Sequence, residues 1–193
     1  MLKNLLRKKI ILASGSPRRQ FLLKDLGLNI EIKTKNIEEI YPDNLKGKEI
    51  AIFLAELKAN AFDTSEIPEN SLLVTADTIV CLDDEVLQKP KDFEDAQRIL
   101  RSLSGKEHEV ISGVCIRSKT KMRSFYASTK VCFKELSKEE IDHYIQTYQP
   151  YDKAGAYGIQ EWIGYVAIEK IEGSFYNVMG LPIQKLYEEL LMF

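Results

Sequence analysis

The feature that most constrains the fold is an almost wholly apolar run, Leu72–Leu82. A strand with one face in water alternates apolar and polar residues, and this run does not alternate. It therefore predicts a strand that is buried on both faces. Such a strand lies inside a sheet covered on both sides. The order of apolar and amphipathic segments along the rest of the chain predicts an α/β or mixed α+β fold around one long sheet.

One acidic residue, Asp77, interrupts this apolar run. Burying a carboxylate without a partner costs several kcal/mol, so a cation or a metal ion is expected beside it. Asp77 can then be half of a structural ion pair, or a catalytic or metal-binding group, and an acid inside a central strand is typical of a site. A hairpin turn at Asp83–Glu85 would return the chain and bring Lys89 near Asp77. The alternative for Lys89 is a solvated side chain before a proline.

A second motif predicts a strand, a tight turn and the start of a helix at Ile10–Arg19. Ser16 suits the N-cap and Pro17 the first helical position. The first turn of a helix exposes N–H groups and attracts anions, whereas Arg18 and Arg19 there oppose the helix dipole. A phosphate-bearing ligand would resolve this conflict. Ion pairs between the two arginines and nearby surface carboxylates would also do so, and both interpretations stay open.

Two further charged residues have local alternatives. Lys48–Phe62 predicts an amphipathic helix, and Lys58 lies at the edge of its apolar face. The Lys58 side chain can extend to water, which is the commoner outcome, or lean into a cleft. Glu39 stands in a polar, irregular stretch, where a solvated loop is the simplest interpretation.

A glycine-containing segment precedes the last part of the chain. Gly155 and Gly158, with small neighbours, favour a loop that approaches a ligand closely, although an ordinary surface turn has the same pattern. The amide of Gln160 can both donate and accept, as reading the edge of a base requires. The residues that follow, Trp162–Ile171, predict a strand.

Length, net charge, apolar segments and cysteine content limit the class of protein. A length of 193 residues suits a single domain, 1–193, or two lobes that share a sheet. A net charge of −2 argues against a surface that coats a nucleic-acid polymer. The apolar segments are too short to cross a membrane. Three widely separated cysteines, with no C-x-x-C pair, predict reduced thiols in a cytoplasmic protein.

Motifs spread over nearly the whole chain resemble those of the Maf family of nucleoside triphosphate pyrophosphatases. They stand at Ala13–Arg19, Ala76–Val80, Lys89–Pro90, Ser104–His108, Asp152–Gln160 and Glu172–Pro182. One departure is Glu161–Trp162 after Gln160, where many relatives have a glycine. Two bulky residues, one of them charged, would change the wall of the site on the side of the base.

The resemblance implies a fold like that of the inosine triphosphatases, with a long mixed sheet, flanking helices and two lobes around a cleft. It implies hydrolysis between the α- and β-phosphates of a nucleoside triphosphate with Mg²⁺ or Mn²⁺, and it suggests a homodimer. The segment Asp152–Gln160 looks like that of the dTTP/UTP branch. The alternatives are the branch that acts on 7-methyl-GTP, and a non-catalytic protein that restrains cell division by binding a partner.

The resemblance also implies roles for residues at matched positions. Asp77 is the expected proton acceptor, and Glu39 the acidic residue that joins it near the metal. Residues associated with substrate choice are Arg18, Thr78 and Gln160. Groups that line the phosphate site are Ser14, Arg19, Lys58 and Lys89. For Glu39 and Lys58 this reverses the interpretation that local sequence favours.

Overall fold

The computed structural model describes residues 2–193 as a mixed α/β fold built on a seven-stranded sheet flanked by helices. The strands are β1 (Lys9–Leu12), β2 (Asn29–Ile32), β3 (Ser71–Leu82), β4 (Glu85–Leu87), β5 (Glu107–Arg117), β6 (Met122–Phe133) and β7 (Ile168–Glu172). The helices are α1 (Leu2–Leu5), α2 (Pro17–Asp25), α3 (Lys48–Asn60), α4 (Phe93–Leu103), α5 (Lys138–Tyr148), α6 (Trp162–Val166), α7 (Phe175–Val178) and α8 (Ile183–Leu191). The fold class predicted from the sequence is confirmed.

The sheet is mixed, with strand order β2-β1-β3-β5-β6-β7 and β4 paired to β3. β1 runs parallel to both β2 and β3, so that Ile10 stands opposite Ile30 on one side and Leu72 on the other. β4 and β7 pair antiparallel with β3 and β6. Parallel neighbours on both sides bury β1 inside the sheet, which agrees with its apolar sequence.

β3 confirms the prediction from the apolar run. Of its residues only Thr78 is partly exposed, and Asp77 is 8% exposed. The predicted hairpin is also present, since Leu82 pairs with Glu85 and Asp83 adopts the left-handed conformation with φ +54°. Asp77 is therefore a buried acid in a central strand.

The chain divides into two units. One comprises the residues up to Asp77 together with Ser112–Ala127 and Gly180–Phe193, and the other comprises Thr78–Ile111 and Ser128–Met179. We call them the first and the second unit. The points of division fall within β3, β5 and β6. A single domain made of two lobes stays a prediction.

In the first unit, α3 packs very closely on the sheet. A Cβ added to Gly113 of β5 would lie 2.1 Å from the carbonyl oxygen of Ala51, so only glycine fits there. The hydroxyl of Thr75 in β3 donates to the carbonyl oxygen of Ala55 at 2.6 Å. These two contacts fix the height of α3 above β3 and so place Lys58, near the end of the helix, over the middle of that strand.

In the second unit, aromatic rings surround a buried histidine. His108 Nε2 hydrogen-bonds the hydroxyl of Tyr157 at 2.8 Å, and Phe133 packs edge-to-face against both rings. Burial lowers the pKa of His108 to about 4. His143 packs against Trp162. Each histidine thus packs against aromatic side chains.

Two other expectations concern cysteines and membrane segments. Cys81, Cys115 and Cys132 are free. Burial raises the pKa of Cys81 to about 11, and this makes the Cys81 thiol inert. Within residues 2–193, none of the helices has the length and apolar character needed to span a membrane.

The prediction of a strand over Trp162–Ile171 is wrong in its first half. Residues Trp162–Val166 form α6, and β7 begins only at Ile168. The aromatic and β-branched composition is typical of a strand, but Gly164 allows a tighter path. Its α-carbon lies so near the carbonyl oxygen of Ile159 that an added Cβ would be 1.8 Å from that atom.

Candidate active site

The turn between β1 and α2 is built by short-range hydrogen bonds. The hydroxyl of Ser16 accepts from the N–H of Arg19 at 3.5 Å, and Pro17 is the first helical residue, as predicted. Ser14, which is 8% exposed, accepts from the N–H of Ser16 at 3.2 Å through its hydroxyl. Its carbonyl oxygen accepts from the side chain of Gln20 at 3.3 Å. Ser14 therefore shapes the turn from which α2 starts.

The side chain of Arg19 is held by hydrogen bonds to other residues of the first unit. Its Nε donates to the carbonyl oxygen of Gly180 at 2.7 Å, and its Nη1 donates to the carbonyl oxygen of Ala76 at 2.8 Å and to Ser14 Oγ at 3.4 Å. Burial lowers the pKa of the Arg19 guanidinium, and the carboxylate of Asp77 opposes this effect. Arg19 therefore fixes the backbone immediately before Asp77. Arg18 lies in the same helical turn and is partly exposed.

Asp77 pairs with Lys58. The ammonium of Lys58 contacts Asp77 Oδ1, and it also lies 2.8 Å from Oε1 of Glu39. The side chains of Lys58 and Asp77 are 14% and 12% exposed, and that of Glu39 is 42% exposed. The interpretation that Lys58 extends to water is therefore wrong. Glu39 does stand in an exposed, irregular stretch, and it also pairs with Lys58.

The cation expected beside Asp77 is thus supplied by α3. The hairpin predicted to bring Lys89 there stops pairing at Leu87, and Lys89 is exposed. Two carboxylates share the one ammonium of Lys58, and both also attract the guanidinium of Arg19.

This donor set fits a divalent metal that is completed by substrate. No group of three or more His, Cys, Asp or Glu side chains within residues 2–193 is arranged to hold a metal ion. Mg²⁺ does not need one, because it is usually held by one or two carboxylates together with substrate phosphates and water. Asp77 and Glu39, which meet at the Lys58 ammonium, are two such carboxylates.

Three predicted site residues belong to the second unit. Thr78 directly follows Asp77 in β3, and Lys89 follows the end of β4. Gln160 is half-buried, and its Oε1 is shielded from solvent without accepting a hydrogen bond from any described residue. An unsatisfied amide oxygen of this kind gains from any ligand that donates to it.

The glycines before Gln160 allow other parts of the chain to pack closely against the backbone. Gly155 has φ +71°, and a Cβ there would be 3.0 Å from the methyl groups of Val80. A Cβ at Gly158 would be 2.8 Å from the carboxyl carbon of Glu161. These glycines therefore pack closely against Val80 and Glu161, and the expectation that they let a ligand approach stays a prediction.

Sequence reasoning missed a buried polar network in the second unit. Tyr144 donates its hydroxyl hydrogen to Glu161 Oε2 and accepts from the N–H of Gly158 at 3.0 Å. Lys153 lies 3.1 Å from Glu161 Oε1. Burial, and then the hydrogen bond to Glu161, raise the pKa of Tyr144, so its hydroxyl stays protonated. The only sequence signal was Glu161 itself, as a departure from the family pattern.

Comparison with known proteins supports the family assignment. A dTTP/UTP pyrophosphatase of Flavobacterium johnsoniae is 58% identical over 191 residues, which is 98% of each chain. One of Phocaeicola vulgatus is 55% identical, also over 98% of each chain. The structure of a HAM1 protein from Coxiella burnetii has the same fold, with a TM-score of 0.52 and 15% identity over 96% of this chain and all of that one.

The family model described as Maf-like protein matches residues 9–193. This span contains every residue discussed above as part of the candidate site. The chain belongs to the Maf-like protein family.

Proposed function

We propose that this protein hydrolyses the α–β phosphoanhydride of dTTP and UTP, giving the nucleoside monophosphate and pyrophosphate. The observation that carries the proposal is the buried Asp77 carboxylate, paired with Lys58, in a chain 58% identical to a dTTP/UTP pyrophosphatase. In the cell this reaction would remove unwanted pyrimidine nucleotides from the pool. We place it in the cytoplasm, where nucleotide pools and reduced thiols are found.

Asp77 is proposed as the proton acceptor for the attacking water. Its position in the centre of β3 and the hydrogen bond from Arg19 to the preceding carbonyl, that of Ala76, hold the carboxylate rigidly. Lys58 compensates its charge until substrate arrives. A fixed carboxylate within hydrogen-bond reach of the water can act as a general base.

A divalent ion, Mg²⁺ or Mn²⁺, is proposed to be held by Asp77 and Glu39 together with the phosphates. When bound, an ion of this kind lowers the pKa of its water and offsets phosphate charge. Lys58 would then exchange its carboxylate partners for phosphate oxygens. This exchange is physically reasonable because the ammonium is a flexible point charge with three donors.

The remaining charged groups are proposed to act on the phosphates. Arg18 and Lys89 are partly or fully exposed and can turn toward an anion. Arg19 and Ser14 serve mainly by fixing the turn before α2, whose first N–H groups suit a phosphate. Neutralising the leaving pyrophosphate is the main electrostatic requirement of such a reaction.

Gln160 is proposed to read the base. Its amide can accept from N3–H and donate to O4 of uracil or thymine, whereas cytosine and adenine present the reversed pattern of acceptor and donor. The shielded Oε1 that lacks a partner within residues 2–193 supports this role, because pairing it would remove an existing penalty. Thr78 and Arg18 are proposed to contribute to the same choice.

A pyrophosphate-release assay over a nucleotide panel tests the proposal. The purified protein is supplied with UTP, dTTP, CTP, ATP, GTP and 7-methyl-GTP, each with Mg²⁺, with Mn²⁺ or with EDTA. We expect kcat/KM for UTP and dTTP to exceed that for the other nucleotides by about tenfold or more, and EDTA to abolish release. A preference for 7-methyl-GTP would contradict the base assignment. No release from any nucleotide would favour a non-catalytic binding protein.

We also propose that the protein forms a homodimer and binds no nucleic-acid polymer. Light scattering at several protein concentrations tests the first statement, and a mass of one chain throughout would contradict it. Retention on a nucleic-acid column at physiological salt would contradict the second, which rests on the net charge of −2.

A further inference from the structure

Glu161 is the centre of a buried network in the second unit. Each of its carboxylate oxygens has a different partner, because Oε2 accepts from the hydroxyl of Tyr144 and Oε1 lies 3.1 Å from the ammonium of Lys153. The side chains of Glu161 and Lys153 are 18% and 9% exposed, and Tyr144 is fully buried. Charged groups shielded to this degree are costly to separate once paired.

The same network holds the backbone on both sides of Gln160. The N–H of Gly158 donates to the hydroxyl of Tyr144 at 3.0 Å, and the N–H of Glu161 donates to the carbonyl oxygen of Gly158 at 3.0 Å. The hydroxyl of Tyr165 also donates to the carbonyl oxygen of Gln160, at 3.4 Å. The main chain of Gln160 is therefore fixed by its neighbours, whereas its own Oε1 accepts from no described residue.

We propose that Glu161 is a positioning residue for base selection, which holds the turn of residues 158–161 so that the amide of Gln160 meets the base in one orientation. This inference rests on the proposed function and extends it to the residues that make Gln160 selective. Lys153 acts through Glu161, and Tyr144 links Glu161 to the backbone of Gly158. None of the three is assigned a contact with the substrate.

The physical reason is the conformational entropy that is lost when the Gln160 amide is held in one orientation. A glutamine side chain has several rotatable bonds. If the backbone that carries it is also mobile, a smaller fraction of the molecules holds the amide in the orientation that forms both hydrogen bonds to the base. Loosening the turn therefore weakens the two-bond contact with uracil or thymine more than it weakens contacts with the phosphates. The expected signature is a raised KM and reduced base preference with little change in kcat.

Two isosteric variants test this. Glu161→Gln keeps an acceptor and a similar volume but removes the charge that attracts Lys153. Tyr144→Phe removes only the hydroxyl that links Glu161 with Gly158. Glu169→Gln is the matched control, because Glu169 is exposed on β7 and its substitution removes the same charge. Circular dichroism shows whether each variant is folded.

Trp162 provides a direct readout of the turn. It is the only tryptophan of the chain and follows Glu161 immediately. In both test variants we expect stronger iodide quenching of Trp162 fluorescence, a higher KM for UTP, and a fall of about tenfold in the ratio of kcat/KM for UTP to that for CTP. Wild-type protein and Glu169→Gln should not differ from one another in any of these.

Each other outcome is decisive. If quenching rises, or the melting temperature falls, while KM and the UTP-to-CTP ratio stay at wild-type values, the network is merely structural and the inference is overturned. A lower kcat with unchanged KM and ratio overturns it as well, as does unchanged quenching. If wild-type protein releases no pyrophosphate from any nucleotide, the proposed function has failed and this inference falls with it, before any variant is compared.

Discussion

Lys58, in the last turn of α3, pairs with Asp77, in the middle of β3. The pair joins a helix to a central strand, and both side chains are largely withdrawn from solvent. A pair of this kind is vulnerable to the loss of either partner, because the remaining charge stays buried. It thus ties the stability of the fold to Asp77, the residue proposed as proton acceptor.

Replacing Lys58 by methionine should therefore affect both properties. We expect Lys58→Met to lose roughly 3 kcal/mol of unfolding free energy in urea titrations, since Asp77 loses its compensating cation. Adding Asp77→Asn to Lys58→Met should recover most of that loss without recovering activity. The matched control is Lys138→Met, which removes an exposed partner of Asp142 and should cost less than about 1 kcal/mol. Equal losses in the two single variants would contradict the buried-pair account.

The single substitution Asp77→Asn should reduce turnover while the protein stays folded. The amide keeps the size of the side chain and can still contact Lys58, but it cannot take a proton. We expect turnover of UTP to fall by about 10³-fold while the melting curve keeps a single cooperative transition. Asp84→Asn, in the exposed hairpin turn, is the charge-matched control and should keep wild-type turnover. Near-normal turnover by a folded Asp77→Asn variant would rule out the assigned role.

Local chemistry made some elements predictable. Ser16 and Pro17 set the start of α2 through contacts no more than three residues apart, and the apolar run that ends at Leu82 identified β3. α5 begins at a capping box of Ser137 and Glu140 that is legible in the sequence. At the two helix starts the partners are neighbours in the chain, so capping decides the structure, whereas β3 was identified by its apolar composition.

The partners of the site residues were not predictable in the same way. Lys58 and Asp77 are 19 residues apart, and Arg19 reaches Gly180 across 161 residues. Such pairings depend on how α3 and the β1–α2 turn pack on the sheet, which no local pattern encodes. For the same reason local sequence favoured a solvated Lys58, whereas the family resemblance placed it in a site.

Gln160→Ala should weaken selectivity more than rate. We expect the preference for UTP over CTP and ATP to fall by about tenfold, with a smaller change in kcat for UTP, because the lost contacts are to the base and not to the phosphates. Kinetics with the nucleotide panel measure this. Gln146→Ala, an exposed position on α5, is the matched control. An unchanged order of preference would show that another residue reads the base.

If Glu161 acts through Gln160, the two substitutions should not be additive. In the double variant Gln160→Ala with Glu161→Gln, we expect the UTP-to-CTP preference to match that of Gln160→Ala alone, because an absent amide cannot be misplaced. The four proteins of this cycle are compared by kcat/KM for each nucleotide. Additive losses would mean that Glu161 affects the base independently of Gln160.

His108 should make the stability of the protein depend on pH. Its folded-state pKa, about 4, lies below the ordinary value of 6.5, because burial penalises the charged ring, and the carboxylate of Glu107 only partly opposes this. Between these two values the unfolded chain binds a proton that the folded protein does not, so unfolding free energy rises with pH through that window and levels off above it. The full effect is roughly 3 kcal/mol.

His108→Gln removes this titration while keeping a group that can hydrogen-bond Tyr157. Urea titrations of both proteins from pH 4 to pH 8 provide the comparison, and the difference between the two curves isolates the histidine from the carboxylates that titrate in the same range. We expect the difference to change steeply between pH 4 and 6.5 and to be flat above pH 7. A constant difference over the whole range would show that His108 is not held neutral among Phe133 and Tyr157, which would require water to reach the core of the second unit.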